Sequence, residues 1–159
     1  MTKQRPFGRT LADITDKRKL TQAETDLIEH CRMGTVAEFG TEPPKEPDAG
    51  GRNVIHADLL RFLILGGDDD TPVHEQGVQV EGAWIAGAVD LENVETNANV
   101  YCSACHFTDD VIARDARLRG LYLDGSRLQG LQGDRLVTQG GVFLREVEAS
   151  GAVRLLGAR

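Results

Sequence analysis

The chain has 159 residues, with 18 Lys and Arg against 25 Asp and Glu, a net charge of −7. That length suits one domain with an appendage, and 40% apolar with 27% charged residues is the composition of a soluble globular protein. No apolar run approaches the roughly 18 residues of a membrane span, net acidity speaks against direct nucleic-acid binding, and the three Cys, with no apolar leader in Met1 to Thr10, are expected as reduced thiols in a cytoplasm.

Residues 1–52 read as an N-terminal arm with one helix over about 21–33. Thr21 supplies the N-cap and Glu24 completes a capping box. Ala23, Leu27, Ile28 and Cys31 form an apolar stripe at helical spacing, and Gly34 is the stop. Thr41 to Arg52, with Pro43, Pro44, Pro47, Gly50 and Gly51, reads as a linker. Residues 53–77 hold a short buried helix built on Ala57, Leu59, Leu60, Phe62, Leu63 and Ile64. Gly66 and Gly67 end it, and Asp68-Asp69-Asp70-Thr71-Pro72 makes an acidic turn.

From residue 78 to 159 the chain is a repeat. Triplets of apolar–any–apolar begin at Val78/Val80, Ala83/Ile85 and Val89/Leu91 and run to Val153/Leu155, with a first half at Ala158, in steps of five or six. Among the inward positions only Thr96, Ser126, Gly133 and Thr138 are not apolar, all four are small, and none is charged. Residues i and i+2 of a strand face one side, so each triplet is a short strand with two inward side chains. Such strands bury themselves only by coiling, each on the equivalent face of the coil before. Four faces per coil give 21 or 22 residues per turn. A left-handed hexapeptide helix is the alternative, but it wants steps of six, and the steps from Val111 to Leu136 are of five.

Three units, Ala116-Arg-Leu118-Arg-Gly, Leu121-Tyr-Leu123-Asp-Gly and Ser126-Arg-Leu128-Gln-Gly, resemble the pentapeptide-repeat family. The resemblance covers 78–159 and implies a mainly β fold, a right-handed quadrilateral parallel β-helix, here with an α-helical region capping its N-terminal end. The six-residue steps depart from the family's strict pattern and imply bulged corners. The run Gly82-Ala83-Trp84-Ile85 followed by Val89-Asp90-Leu91 is also similar to the start of longer bacterial repeat proteins labelled membrane-associated oxidoreductases, but no redox motif accompanies it.

Cys102-Ser-Ala-Cys105-His106 matches a c-type haem attachment pattern. The repeat phase turns both thiols inward, however, so they read as small core residues. His30, His56, His74 and His106 have no Ser or Cys partner at a recognisable spacing, and no phosphate loop is present. Neither catalytic residues nor a metal site or cofactor is therefore expected. The glycines recur at corners such as Gly82, Gly87, Gly120, Gly125 and Gly130, where they read as turn residues.

The outward residues carry the functional expectation. Rotation through four faces stacks Gln79, Tyr101, Tyr122 and Phe143 on the first face and Trp84, His106, Arg127 and Glu148 on the second. Trp84, Tyr101, Tyr122 and Phe143 are thus either a stabilising ladder or anchors for a partner. Between Gly51 and Ala113, eleven acidic residues (Asp58, Asp68, Asp69, Asp70, Glu75, Glu81, Asp90, Glu92, Glu95, Asp109 and Asp110) face only Arg52 and Arg61, a net of −9. Residues 114–159 carry eight Arg and five acids, a net of +3. Carboxylates on successive coils are expected to form rows that imitate duplex phosphates.

The expected role is non-enzymatic. It is that of an inhibitor that docks by DNA mimicry on a partner protein with a basic, nucleic-acid-binding groove, with no direct nucleic-acid contact and no membrane in this chain. The resemblance implies the same class, since some pentapeptide-repeat proteins act on gyrase in this way; phage anti-CRISPR inhibitors are a second home. The alternatives are an assembly module, with a homodimer through the C-terminal coil edge, a fragment of a longer membrane-associated repeat protein, or a redox enzyme centred on Cys102, Cys105 and His106.

Overall fold

The computed structural model describes residues 8–159. A short helix, α1, spans Ala12–Thr15, and α2 spans Gln22–Met33. In α2 the capping box is complete. The Thr21 hydroxyl accepts from Glu24 N–H, the Glu24 carboxylate accepts from Thr21 N–H, and Gly34 closes the helix at φ 76°. The third helix, α3, spans Ala57–Ile64. A tight antiparallel hairpin, Gly67–Asp68 with Thr71–Pro72, follows it.

The rest is a parallel β-solenoid of about four turns. Its first face stacks Ala37–Glu38, Val78–Glu81, Asn99–Ser103, Gly120–Tyr122 and Val142–Phe143. The second stacks Val54–His56, Trp84–Ala86, His106–Phe107, Arg127–Leu128 and Glu148–Ala149. The third runs from Val89–Asp90 through Val111–Ile112 and Leu131–Gln132 to Val153–Arg154. On the fourth, Glu95 bridges to Arg117, Arg117–Leu118 pairs with Val137–Thr138, and Thr138 N–H donates to Arg159 O. Val78 pairs with Val100, Val100 with Leu121 and Leu121 with Val142, steps of 22, 21 and 21 residues.

The solenoid begins before the repeat. Ala37–Glu38 pairs with Val78–Glu81, and Val54–His56 pairs with Trp84–Ala86, so part of the arm is a preliminary half-coil. The Thr41 to Arg52 stretch is a strap joining the two strands of that half-coil. Asp48 ties its end, accepting from Gly50 and Arg52 N–H while its own N–H donates to Asn53 Oδ1. The half-coil has no third or fourth strand, because α3 takes their place. Arg61 Nε donates to Asp90 O on the third face, and Thr96 Oγ1 donates to Ile64 O on the fourth. Helix α2 then lies across the half-coil and closes the end of the core with Ala23, Leu27 and Cys31, all buried. One apolar core runs from there through the coils to Leu136.

Two corners turn through left-handed backbone. One column is Gly82, Ala104, Gly125 and Glu146, and the other is Asn93, Asp115, Arg135 and Gly157, all with φ between 51° and 74°. The corner demands the conformation whichever residue stands there. Gly120 and Gly130 have ordinary φ. Gly130 is required instead by close approach, since a Cβ there would lie 2.8 Å from Asp110 Oδ1 and 3.0 Å from Ala152 O.

Candidate protein-binding surfaces

The first face is wide enough to show two outward positions per strand, because i and i+2 share a side. The register aligns Gln79, Tyr101, Tyr122 and Phe143 in one column. Tyr122 and Phe143 stack at 4.6 Å with planes 4° apart, and Tyr101 leans on Tyr122 at 5.9 Å and 45°. Below them, Gln79 Nε2 donates to Gly34 O and joins the face to the end of α2. On the second face Trp84 stacks on His106 at 4.3 Å. Arg127 and Glu148 continue that column and form an ion pair at 3.5 Å. The aromatics are half-buried in both columns.

Apart from Glu38 and Glu81, which are in register on the first face, the acidic residues are spread around the first coils and do not form carboxylate rows. Asp90 is in register with Ile112, Glu81 with Ser103 and Glu95 with Arg117. Four acids meet an arginine of the next coil. Glu92 pairs with Arg114 at 3.1 Å, Asp115 with Arg135 at 2.7 Å, Asp124 with Arg145 at 3.3 Å and Asp134 with Arg154 at 3.0 Å. The Arg135 guanidinium holds the Asp115 carboxyl below its ordinary value. This ladder neutralises most of the arginine-rich C-terminal segment.

The N-terminal acids are compensated far less. Asp58 is bridged by Arg18 and Glu92 by Arg114. Asp68 serves the fold, accepting from Leu11 and Asp70 N–H. Burial would raise its carboxyl, but the donors from Leu11, Thr71 and Asp70 outweigh burial and keep it low. Asp69 sits beside Asp70 at the hairpin tip, and Glu75 lies 3.7 Å from His74. Asp109 accepts from Thr108 Oγ1 and Asp110 from Gln132 Nε2. Among the described residues, the carboxylates of Asp70, Glu81, Asp90, Glu95, Asp109 and Asp110 form no ion pair, although Arg32 donates to Asp70 O, Arg61 donates to Asp90 O and Arg117 lies in register with Glu95.

A second acidic element was not legible in the sequence. The other outward column of the first face is Glu38, Glu81 and Ser103, continued by Asp124. Beside it the strap borders a cleft of about 540 Å³, lined by Glu42, Glu81, Asp124, Arg145 and Glu146 among others. The strap is far from these coils in sequence, and nothing in its Pro-rich composition signals where it lies.

The thiols of Cys102 and Cys105 are buried, and Ser126 ties their turn, its hydroxyl donating to Cys102 O and accepting from Cys105 N–H. The neighbouring Cys105 and burial push the Cys102 thiol up, and burial pushes Cys31 up to about 12. Thiolates are therefore disfavoured at both. Among the described residues, no three His, Cys, Asp or Glu side chains converge as metal ligands, and no helix is long and apolar enough to cross a membrane.

No family model matches the chain, and neither does any curated protein or solved structure.

Proposed function

We propose that this protein is a non-enzymatic inhibitor that docks its acidic N-terminal coils on the basic groove of a nucleic-acid-handling complex. The observation that carries this reading is the uncompensated charge. Among the described residues, six carboxylates of the first coils and cap form no ion pair, whereas the C-terminal arginines are mostly paired along the coil ladder. Such a field attracts a basic groove and speeds encounter. The mimicry is one of charge, since the register does not reproduce a regular row of phosphates. The resemblance of 78–159 to pentapeptide-repeat proteins supports a gyrase-type target, and an anti-CRISPR-type target fits the same chemistry.

Inhibition of DNA supercoiling by gyrase and of DNA cleavage by a Cas nuclease tests it. Inhibition of one should fall as salt rises and weaken at least about tenfold in the Asp70→Asn/Asp90→Asn/Glu95→Gln variant. Inhibition insensitive to both salt and these changes refutes the acidic reading.

A second reading, an assembly module, rests on exposed apolar residues in the last rung. Val153 is 43% and Leu156 66% exposed, and Val153–Arg154 is hydrogen-bonded on one side, to Leu131–Gln132. An end-to-end homodimer would cover them, and a monomer by light scattering at high concentration rejects it.

A further inference from the structure

The first face has an apolar column, and about 6.5–7 Å further along the chain on each rung a polar column of Glu38, Glu81, Ser103 and Asp124, closed by Arg145. The apolar column is the stack Tyr101, Tyr122 and Phe143. Because Tyr122 and Phe143 pack their faces together, they turn ring edges outward. Ring edges suit aliphatic side chains and offer no open face to a base or sugar. In the polar column Ser103 and Asp124 stand beside Tyr101 and Tyr122, Glu38 and Glu81 occupy the two rungs before them, and Glu42, Glu81, Asp124 and Glu146 make the lining of the strap cleft mainly acidic. The one cation lining this cleft, Arg145, is already bonded to Asp124. Among the described residues Glu42, Glu81 and Glu146 have no ion-pair partner.

Resting on the proposal of a basic partner, we infer that its contact element is one basic amphipathic helix lying along the solenoid axis on this face. Its apolar stripe would pack on the tyrosine–phenylalanine column, and its Lys or Arg would reach past Ser103 and Asp124 to Glu42, Glu81 and Glu146 in the strap cleft. The spacings agree: rungs repeat at roughly 4.8 Å and helical turns at about 5.4 Å. Three rungs therefore meet anchors at i, i+3 or i+4, and i+7. Charge complementarity fixes the sign of the helix and the aromatic column fixes its stripe. The second face lacks this pairing, since its column passes from Trp84 and His106 to the Arg127–Glu148 ion pair.

The probe is an 18-residue helix-forming peptide of Leu and Arg with one apolar stripe, compared with a scramble of the same composition and no helical period. Fluorescence anisotropy on the full chain should show the amphipathic peptide binding at least tenfold tighter than the scramble. Glu81→Gln/Glu146→Gln should remove most of that preference, as should Tyr122→Ala. Tyr122→Ala can also loosen the stack, so circular dichroism accompanies it, and the carboxylate pair, which bonds to nothing else, tests the site without touching the fold. Equal affinity for the two peptides, no binding of either, or indifference to Glu81→Gln/Glu146→Gln overturns the inference. If binding then falls in Asp70→Asn/Asp90→Asn/Glu95→Gln alone, acidic docking stands and the helix site fails. Loss in the face variants alone supports the helix site and removes the role of the cap and first-coil acids.

Discussion

Ala104 turns its corner at φ 51°, a conformation that costs an L-residue roughly 1–2 kcal/mol. The same corner on neighbouring coils is Gly82 and Gly125. Ala104→Gly should therefore stabilise the protein by about 0.5–1 kcal/mol, after the extra unfolded-state entropy of glycine is subtracted. Urea denaturation measures it, and a loss of stability contradicts the strain. Ser126 is the opposite case, a polar residue the core requires. Its hydroxyl satisfies both Cys102 O and Cys105 N–H. Ser126→Ala leaves two buried groups unmet and should cost about 1–3 kcal/mol. Ser126→Cys, which keeps a weak donor, should cost less. The repeat phase marks Ser126 as small and inward, but not as the clamp on the thiol turn.

At the scale of elements, α2 is fastened to the solenoid through Glu24. This side chain is 0% exposed. It accepts from both terminal nitrogens of Arg18 at 2.7 and 2.8 Å, from Thr21 N–H and from His56 N–H. Burial alone would raise its pKa, but the Arg18 pair and the backbone donors outweigh burial and hold it below the ordinary 4.5. A lowered folded pKa means that the ionised form favours folding. The contribution is complete above pH 4.5 and is lost as pH falls through the lower folded value. Stability followed from pH 7 downwards should drop in that acid window, and Glu24→Gln should be less stable at pH 7 and flatter with pH. A parallel fall in the variant would assign the acid sensitivity elsewhere. The capping box was legible because its two members are three residues apart. Burial of Glu24 was not, because Arg18 and His56 meet it through the tertiary fold.

For the whole molecule, the core is closed at one end by α2 and thins toward the other. Val111, Leu121 and Leu123 are buried, whereas the strands Glu148–Ala149 and Val153–Arg154 are exposed. Solenoid coils hold only their neighbours, so opening should start at the exposed end. Hydrogen exchange should protect amides of 111–123 at least about tenfold more than those of 142–154. Uniform protection would instead mean that the coils unfold as one unit.

Sequence alone determined the inward strand faces, the coil length and the stacking of Tyr101, Tyr122 and Phe143. All three follow from a period repeated every five or six residues, and a local period survives whatever else the chain does. Only the tertiary structure decided that Ala37–Glu38 and Val54–His56 begin the solenoid, that α3 stands in for two missing strands, and that the strap lies along the polar column. Those segments are too short, or too far apart along the chain, to carry a period. The charges divide in the same way. A segment total of −9 is readable by counting. Whether an acid meets arginine or stays uncompensated depends on what the next coil, 20 to 22 residues away, places over it, and a coil longer by one residue changes that neighbour.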